Sequence, residues 1–367
     1  MKFTINSDEL SAVVKRFTTI IPAKTTLPIL ETIKFDVGDG ELKLTGTDQR
    51  VWLTQSIKIY EQNSEGGVLI HADRLKQLLS TFKNAFLTFN VEDNNDILIR
   101  SGTGKYWLKG LPIDDYFVDV DLDKEFEFLA EIPDVGKAIN KVRFAASTDA
   151  YRPAMLGIHM HFNNDILTTV ATDSFRLVKY MSSLDACSSD LALLLPLECA
   201  NILMDIHSTA TVSILKIIDR PEHIKFEAEG LTVVSNLINE KFPPYNAVIP
   251  DGKPATTLKF NKTEMLGALQ RNRLFAALQA SKLIHIEAGV ESLILSADNG
   301  IDACSEQVGS VHNAIDLSLH FNIDNLTGII RNIDADEVAM ELFGTKPVKV
   351  SAACPDELTS IIMPVLK

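Results

Sequence analysis

No run of about 18 uninterrupted apolar residues occurs in the chain, so no membrane-spanning helix is expected. The opening MKFTINSDEL has neither an apolar core nor a small-residue cleavage pattern, and no secretory leader is expected. Cysteine is scarce. Cys187, Cys199, Cys304 and Cys354 lie far apart with no CxxC, which suits reduced thiols in a cytoplasmic protein better than a disulfide framework or a zinc site. Walker A, GxGxxG and nucleophile-elbow motifs are missing, so no cofactor and no catalytic residue is expected and the chain reads as a non-enzyme. His159 and His161 alternate and would face the same way on a strand, as a pair of metal ligands does. Their neighbours are apolar and no third ligand is near, so no metal site is expected. Zinc-finger, RRM and helix-turn-helix patterns are absent too, which leaves no basis for reading base sequence. Even positive charge is in short supply: 35 Lys and Arg against 49 Asp and Glu give a net charge of −14. Taken alone, that weighs against a nucleic-acid partner.

What the chain does contain is repetition. Alternating runs end at Gly46-Thr47-Asp48, Ala171-Thr172-Asp173 and Ser296-Ala297-Asp298, with the aspartates 125 residues apart both times. Ile33, Ile158 and Leu283 keep that step, and so do His71, Pro196 and Phe321, each closing an apolar run. The apolar stripe Leu10, Val13, Val14, Phe17 returns one step later as Val135, Ala138, Ile139, Val142. A less regular version follows at Met265, Leu266, Ala268 and Leu269. Asn6 with Glu9 and Asn261 with Glu264 suit helix starts, and Pro133 suits the first turn of the middle helix. Second helices are expected near 72–82, 197–207 and 323–333, between strands bounded by turns such as Gly38-Asp39-Gly40, Asn163-Asn164-Asp165 and Asp93-Asn94-Asn95. A period this long means tandem domains rather than a solenoid. The fold class is therefore α+β in three tandem copies, with domains at 1–120, 121–250 and 251–367 and joints around 118–127 and 249–256.

Charge is segregated by element. The segments holding the six expected helices sum to +6, so the remainder of a −14 chain carries −20. Basic helices in an acidic protein suit a surface that meets a polyanion through scattered, exchangeable phosphate contacts. Lys15, Lys24, Lys76, Lys141, Arg143, Arg152, Arg271 and Arg273 are the candidate DNA-facing residues. A repeat-built protein–protein scaffold without a DNA role is the competing reading, and neutralising Arg271 and Arg273 would cost it nothing.

Several segments together resemble the bacterial sliding clamp, the β subunit of DNA polymerase III. They are Lys24-Thr25-Thr26-Leu27-Pro28-Ile29-Leu30, Leu44-Thr45-Gly46-Thr47-Asp48, Ala171-Thr172-Asp173-Ser174-Phe175-Arg176-Leu177, Lys241-Phe242-Pro243-Pro244-Tyr245 and Ile362-Met363-Pro364-Val365. The resemblance spans the whole chain, and three copies exclude the trimeric two-domain kind of clamp. It implies a head-to-tail homodimer closing a ring, helices inside and antiparallel sheets outside, around duplex DNA. It also implies a clamp loader, the replicative polymerase and other peptide-motif proteins as partners, and no membrane. Tyr106 and Leu108 would meet Leu274 and Phe275 across the dimer interface. An apolar peptide groove would use Met155, Thr172, Ser174, Phe175, Arg176, Leu177, Pro243, Val248, Ile361, Met363, Pro364 and Val365. The family commonly has glycine and histidine where this chain has Ser174 and Phe175, and often a basic residue near Ala247, which implies a narrower or more apolar groove. Asp173 reads as a turn-capping residue, because the same aspartate recurs at 48 and 298.

Overall fold

The computed structural model describes residues 1–116, 126–206, 211–217, 221–228, 230–276, 282–288, 291–312, 317–344, 347–352 and 357–365. Most of the joint expected at 118–127 lies outside them, as do His207 and Cys354. Six α-helices occur among the described residues: α1 Ser7–Phe17, α2 Ala72–Leu79, α3 Val135–Val142, α4 Leu197–Met204, α5 Lys262–Ala276 and α6 Ile323–Arg331. Each copy contributes two.

Apolar periodicity decides which face of each helix is buried. Leu10, Val13, Val14 and Phe17 of α1 are buried, and so are Val135, Ala138, Ile139 and Val142 of α3. Asn6 caps α1 by accepting from the Asp8 amide at 2.8 Å, and Asn261 accepts from the Glu264 amide at 3.0 Å at the start of α5. Pro133 departs from expectation. It ends the strand Phe126–Pro133, and Asp134 turns the chain at φ 49° before α3 begins. The second helices stop short of the ranges expected from sequence, closing at Leu79, Met204 and Arg331. Turn residues behave as their types suggest, with Asp39, Asn95 and Asn164 all at positive φ.

The chain divides into two compact units. One comprises Met1–Gly136, Leu184–Ser189 and Leu195–Leu237, the other Lys137–Ser183, Asp190–Leu194 and Ile238–Lys367. The middle copy is split between them because strand ladders run across copy boundaries. In the first unit, a nine-stranded antiparallel sheet is joined where Leu231–Asn236 pairs with Val51–Lys58, in register Val233↔Leu53. A five-stranded sheet in the same unit ends on Gly104–Lys109. In the second unit, Leu358–Ile362 pairs with Arg176–Ser183, in register Ile361↔Leu177, inside a twelve-stranded sheet. That seam brings the last strand of the chain beside the Thr-Asp turn of the middle copy.

Candidate functional site

The turn between the strands Ile166–Thr172 and Arg176–Ser183 begins the site. Asp173 Oδ1 accepts from the amides of Phe175 and Arg176, both at 2.9 Å, and Thr172 Oγ1 donates to the Arg176 carbonyl at 2.7 Å. Asp173 thus holds the turn, in keeping with its recurrence in the sequence. Ser174 sits at φ 78°, a backbone region that favours glycine. The turn leaves Phe175 outside, 59% exposed, while Arg176 folds back. The Arg176 Nε donates to Asp173 Oδ2 at 3.0 Å and its guanidinium lies 5.3 Å from the Phe144 ring centre.

Beside this turn lies a pocket of about 290 Å³ with an almost wholly apolar surface. Ten of the twelve residues expected in the groove line it: Met155, Thr172, Ser174, Phe175, Arg176, Leu177, Pro243, Val248, Ile361 and Met363. Pro364 and Val365 do not. The Val365 amide instead donates to the His320 carbonyl at 2.7 Å, while the Met363 amide donates to the Phe175 carbonyl at 2.8 Å. Pro244, Tyr245 and Ala247 are additional lining residues. Pro244 and Tyr245 already stand in the Lys241–Tyr245 motif, and Ala247 follows it by two residues. Val170, Leu177, Leu194, Phe242 and Ile361 form the core beneath. His159 stacks on Phe242 there, with ring centres 4.8 Å apart and planes 8° apart. Burial, with His161 adding to it, pushes the His159 imidazole down to about 4, so it is neutral at pH 7. His161 is bound to Asp190 at 2.9 Å, and no metal-binding cluster occurs among the described residues. The rim is tied as well. Arg152 Nη1 donates to Ser174 Oγ at 2.6 Å, and Ser174 Oγ donates to Met155 Sδ at 3.2 Å. Such a site can hold apolar side chains.

The basic residues fall into classes that net charge does not distinguish. Lys15, Lys24 and Lys76 are exposed; Arg143 is exposed as well and has an interaction of its own within the chain. Arg152, Arg271 and Arg273 are exposed but paired within the chain, with Asp149, Glu306 and Asp324 respectively. Lys141 overturns its expectation. It is 9% exposed, with Nζ donating to Asp334 Oδ2 at 2.5 Å and to the Asn332 carbonyl at 3.0 Å. Arg16, one repeat step earlier, does the same work. Its Nη2 donates to the Asp205 carbonyl at 3.2 Å and its Nη1 to Gln55 Oε1 at 2.6 Å. Asp205 and Asn332 are the C-caps of α4 and α6. A cation there meets the negative end of the next copy's second helix, so both residues serve the junction between copies.

Of the four expected interface residues, Tyr106 and Leu108 lie half-buried on Gly104–Lys109, and Tyr106 packs edge-on against Phe82 at 5.4 Å. Leu274 is 74% exposed and Phe275 half-buried at the end of α5. Gly104–Lys109 pairs only with Asp96–Ser101 among the described residues, so one of its edges is open. Residues 303–309 of the strand Ala303–His312 likewise pair on one side only. Between Tyr106 and Leu108, Trp107 is 67% exposed, a feature that no motif in the sequence marks.

Three family models match in order: the N-terminal domain of the DNA polymerase III beta subunit at 1–119, its central domain at 132–244 and its C-terminal domain at 246–366. The chain is 25% identical to the beta sliding clamp of Staphylococcus epidermidis, covering 100% of this chain and 99% of that one. Its fold is similar to the crystal structure of the DNA polymerase beta subunit of Streptococcus pyogenes, with a TM-score of 0.90, 21% identity and full coverage of both chains. It is also similar to the Pseudomonas aeruginosa sliding clamp bound to griselimycin, with a TM-score of 0.88, 23% identity and full coverage of both.

Proposed function

The chain belongs to the DNA polymerase III beta subunit family, with three tandem clamp domains, and on that premise we propose that it is a processivity clamp that closes as a head-to-tail homodimer around duplex DNA. Two unlike open strand edges carry this reading, one in the first copy and one in the third. An open, aromatic edge is an aggregation hazard unless something pairs with it. Pairing Gly104–Lys109 of one chain with 303–309 of another is heterologous, and two such pairings close a ring. Tyr106, Trp107 and Leu108 would then bury apolar surface against the partner, near its Leu274 and Phe275. Helices would face DNA and sheets the solvent. The bases would go unread, because lysine and arginine would touch phosphates only.

The pocket is the proposed docking site for short peptides of the replicative polymerase and other partners, with a clamp loader opening the ring. Its apolar walls suit Leu and Phe anchors in a desolvated hole. No enzymatic step is assigned to the chain, and the cytoplasm is its proposed location.

Solution mass and DNA retention test the reading together. A species of twice the 40.5 kDa chain that stays on circular DNA and runs off linear ends is the expected result. Trp107→Glu should return the mass to a single chain, because a charge would be buried unpaired at the joint. A wild-type monomer, or equal loss from circles and linear DNA, would leave the scaffold reading instead.

A further inference from the structure

We propose that this chain grips DNA through its first copy, and that Glu306 and Asp324 hold the third copy's basic side chains out of that work. The inference rests on the clamp reading above. Formal charge points the other way, since the stretch 262–282 has the highest net charge of the six helical segments, +3. The structure shows where that charge goes. Arg271 donates through Nε to Glu306 Oε2 at 2.9 Å and through Nη2 to the other carboxylate oxygen, a two-pronged pair. Asp324 takes two cations at once, Arg273 Nε at 2.6 Å and Lys282 Nζ at 2.8 Å. Three cations therefore meet two carboxylates. In the first copy, Lys15, Lys24 and Lys76 are exposed and make no ion pair among the described residues.

The two arrangements respond differently to a phosphate. A free lysine that meets one releases a counterion from the DNA, and that release drives binding. An arginine already held by a carboxylate must break a charge-assisted, geometrically specific pair, or else present the phosphate with the acid's repulsion as well. The third copy thus brings basic side chains to the DNA but little net attraction. Loss of the Asp324 charge frees two of them together, which makes Asp324 the residue most able to raise the grip.

The test is binding of the full-length chain to a fluorescent duplex, by anisotropy, over a series of salt concentrations. K15A/K24A/K76A should flatten the salt dependence by roughly one unit for each phosphate no longer neutralised, and weaken low-salt binding by about tenfold or more. R273Q should stay within about twofold of wild type, because Asp324 already holds Arg273, and D324N should tighten binding by about threefold with a steeper salt slope. Unchanged solution mass and circular dichroism confirm that each variant folds. If wild type binds DNA but R273Q loses as much affinity as the lysine triple, or D324N fails to tighten, this inference is overturned and the clamp reading survives. No binding by wild type at any salt concentration would overturn this inference too, while the clamp reading stands or falls by retention on circular DNA.

Discussion

The Thr-Asp turn is built twice among the described residues with one set of hydrogen bonds, and the second of the two opens on the apolar pocket. At the first turn, Asp48 Oδ1 accepts from the amides of Arg50 and Val51 at 2.8 Å, Thr47 Oγ1 donates to the Val51 carbonyl at 2.8 Å, and Gln49 sits at φ 72°. The Asn236 amide reaches the Arg50 carbonyl at 2.9 Å, as Met363 reaches Phe175 in the second unit. The two places diverge in what the following linker supplies. After Leu111-Pro112, the first linker brings Tyr116, whose hydroxyl is buried near the Thr47 backbone and whose phenol is held well above the usual range by that burial. After Phe242-Pro243, the second linker brings Ala247 and Val248, and a hole remains beside Thr172. A repeated turn makes the frame, and the size of one linker side chain decides whether the frame is filled.

Exchanging the fillers should give the largest effects. Tyr116→Ala should destabilise the first unit by about 2–3 kcal/mol in chemical denaturation, the range for emptying a largely buried aromatic site. It should also create an apolar hole beside Thr47 that takes up a small aromatic probe. Ala247→Tyr should fill the existing pocket and weaken a Leu- and Phe-anchored peptide at least tenfold, about 1.4 kcal/mol, by titration calorimetry. Stability and solution mass should barely change, because Ala247 is exposed. Undiminished peptide binding by Ala247→Tyr would show that peptides dock elsewhere.

The two aspartates separate structure from binding at a smaller scale. Each carboxylate satisfies two backbone amides, so Asp48→Ala and Asp173→Ala should each cost about 1–2 kcal/mol of stability. Only the second should affect peptide binding, since it also frees Arg176 and lets Phe175 move. Equal losses of peptide affinity from both would mean that the turn acts through global stability alone.

Much of this is legible in sequence wherever a local rule suffices. The apolar stripe of α1 and its echo in α3 are buried as their spacing predicts, because helical periodicity is set by neighbouring residues. The groove residues come from the resemblance to the clamp family rather than from a local rule, and Met155, Val248 and Ile361 lie outside the motifs that carry it. Lys141 escapes such reasoning because its burial depends on Asp334, 193 residues away, and no local pattern carries that information. Pairing of Arg271 and Arg273 is hidden for the same reason, since net charge counts cations without saying which are already held. Pro133 shows the converse. Proline suits a first helical turn, but it equally ends a strand, and here the ladder with Thr211–Ile217 takes it.

The smallest difference between the two frames is one of pH. Position 34 of the first copy and position 159 of the second are one repeat step apart; Lys34 faces Asp36 at 3.9 Å, while His159 lies stacked on Phe242 beneath the pocket. The His159 imidazole titrates near 4 in the folded chain against an ordinary 6.5. An unfolded chain therefore takes up the proton first, and the stability tied to neutral His159 is fully present above about 6.5 and lost as pH falls towards about 4. Partial exposure of the ring limits the loss to on the order of 1–2 kcal/mol. Carboxylates titrate over part of the same window, so the comparison that isolates this group is wild type against His159→Phe. The gap in denaturation free energy between the two should shift towards the variant by that amount between neutral pH and pH 4. Amide exchange should show the change in the strands around Phe242 and leave those around Lys34 untouched. A constant gap across the window would mean that the ring accepts a proton where it lies, and that the floor of the groove is wetter than its packing implies.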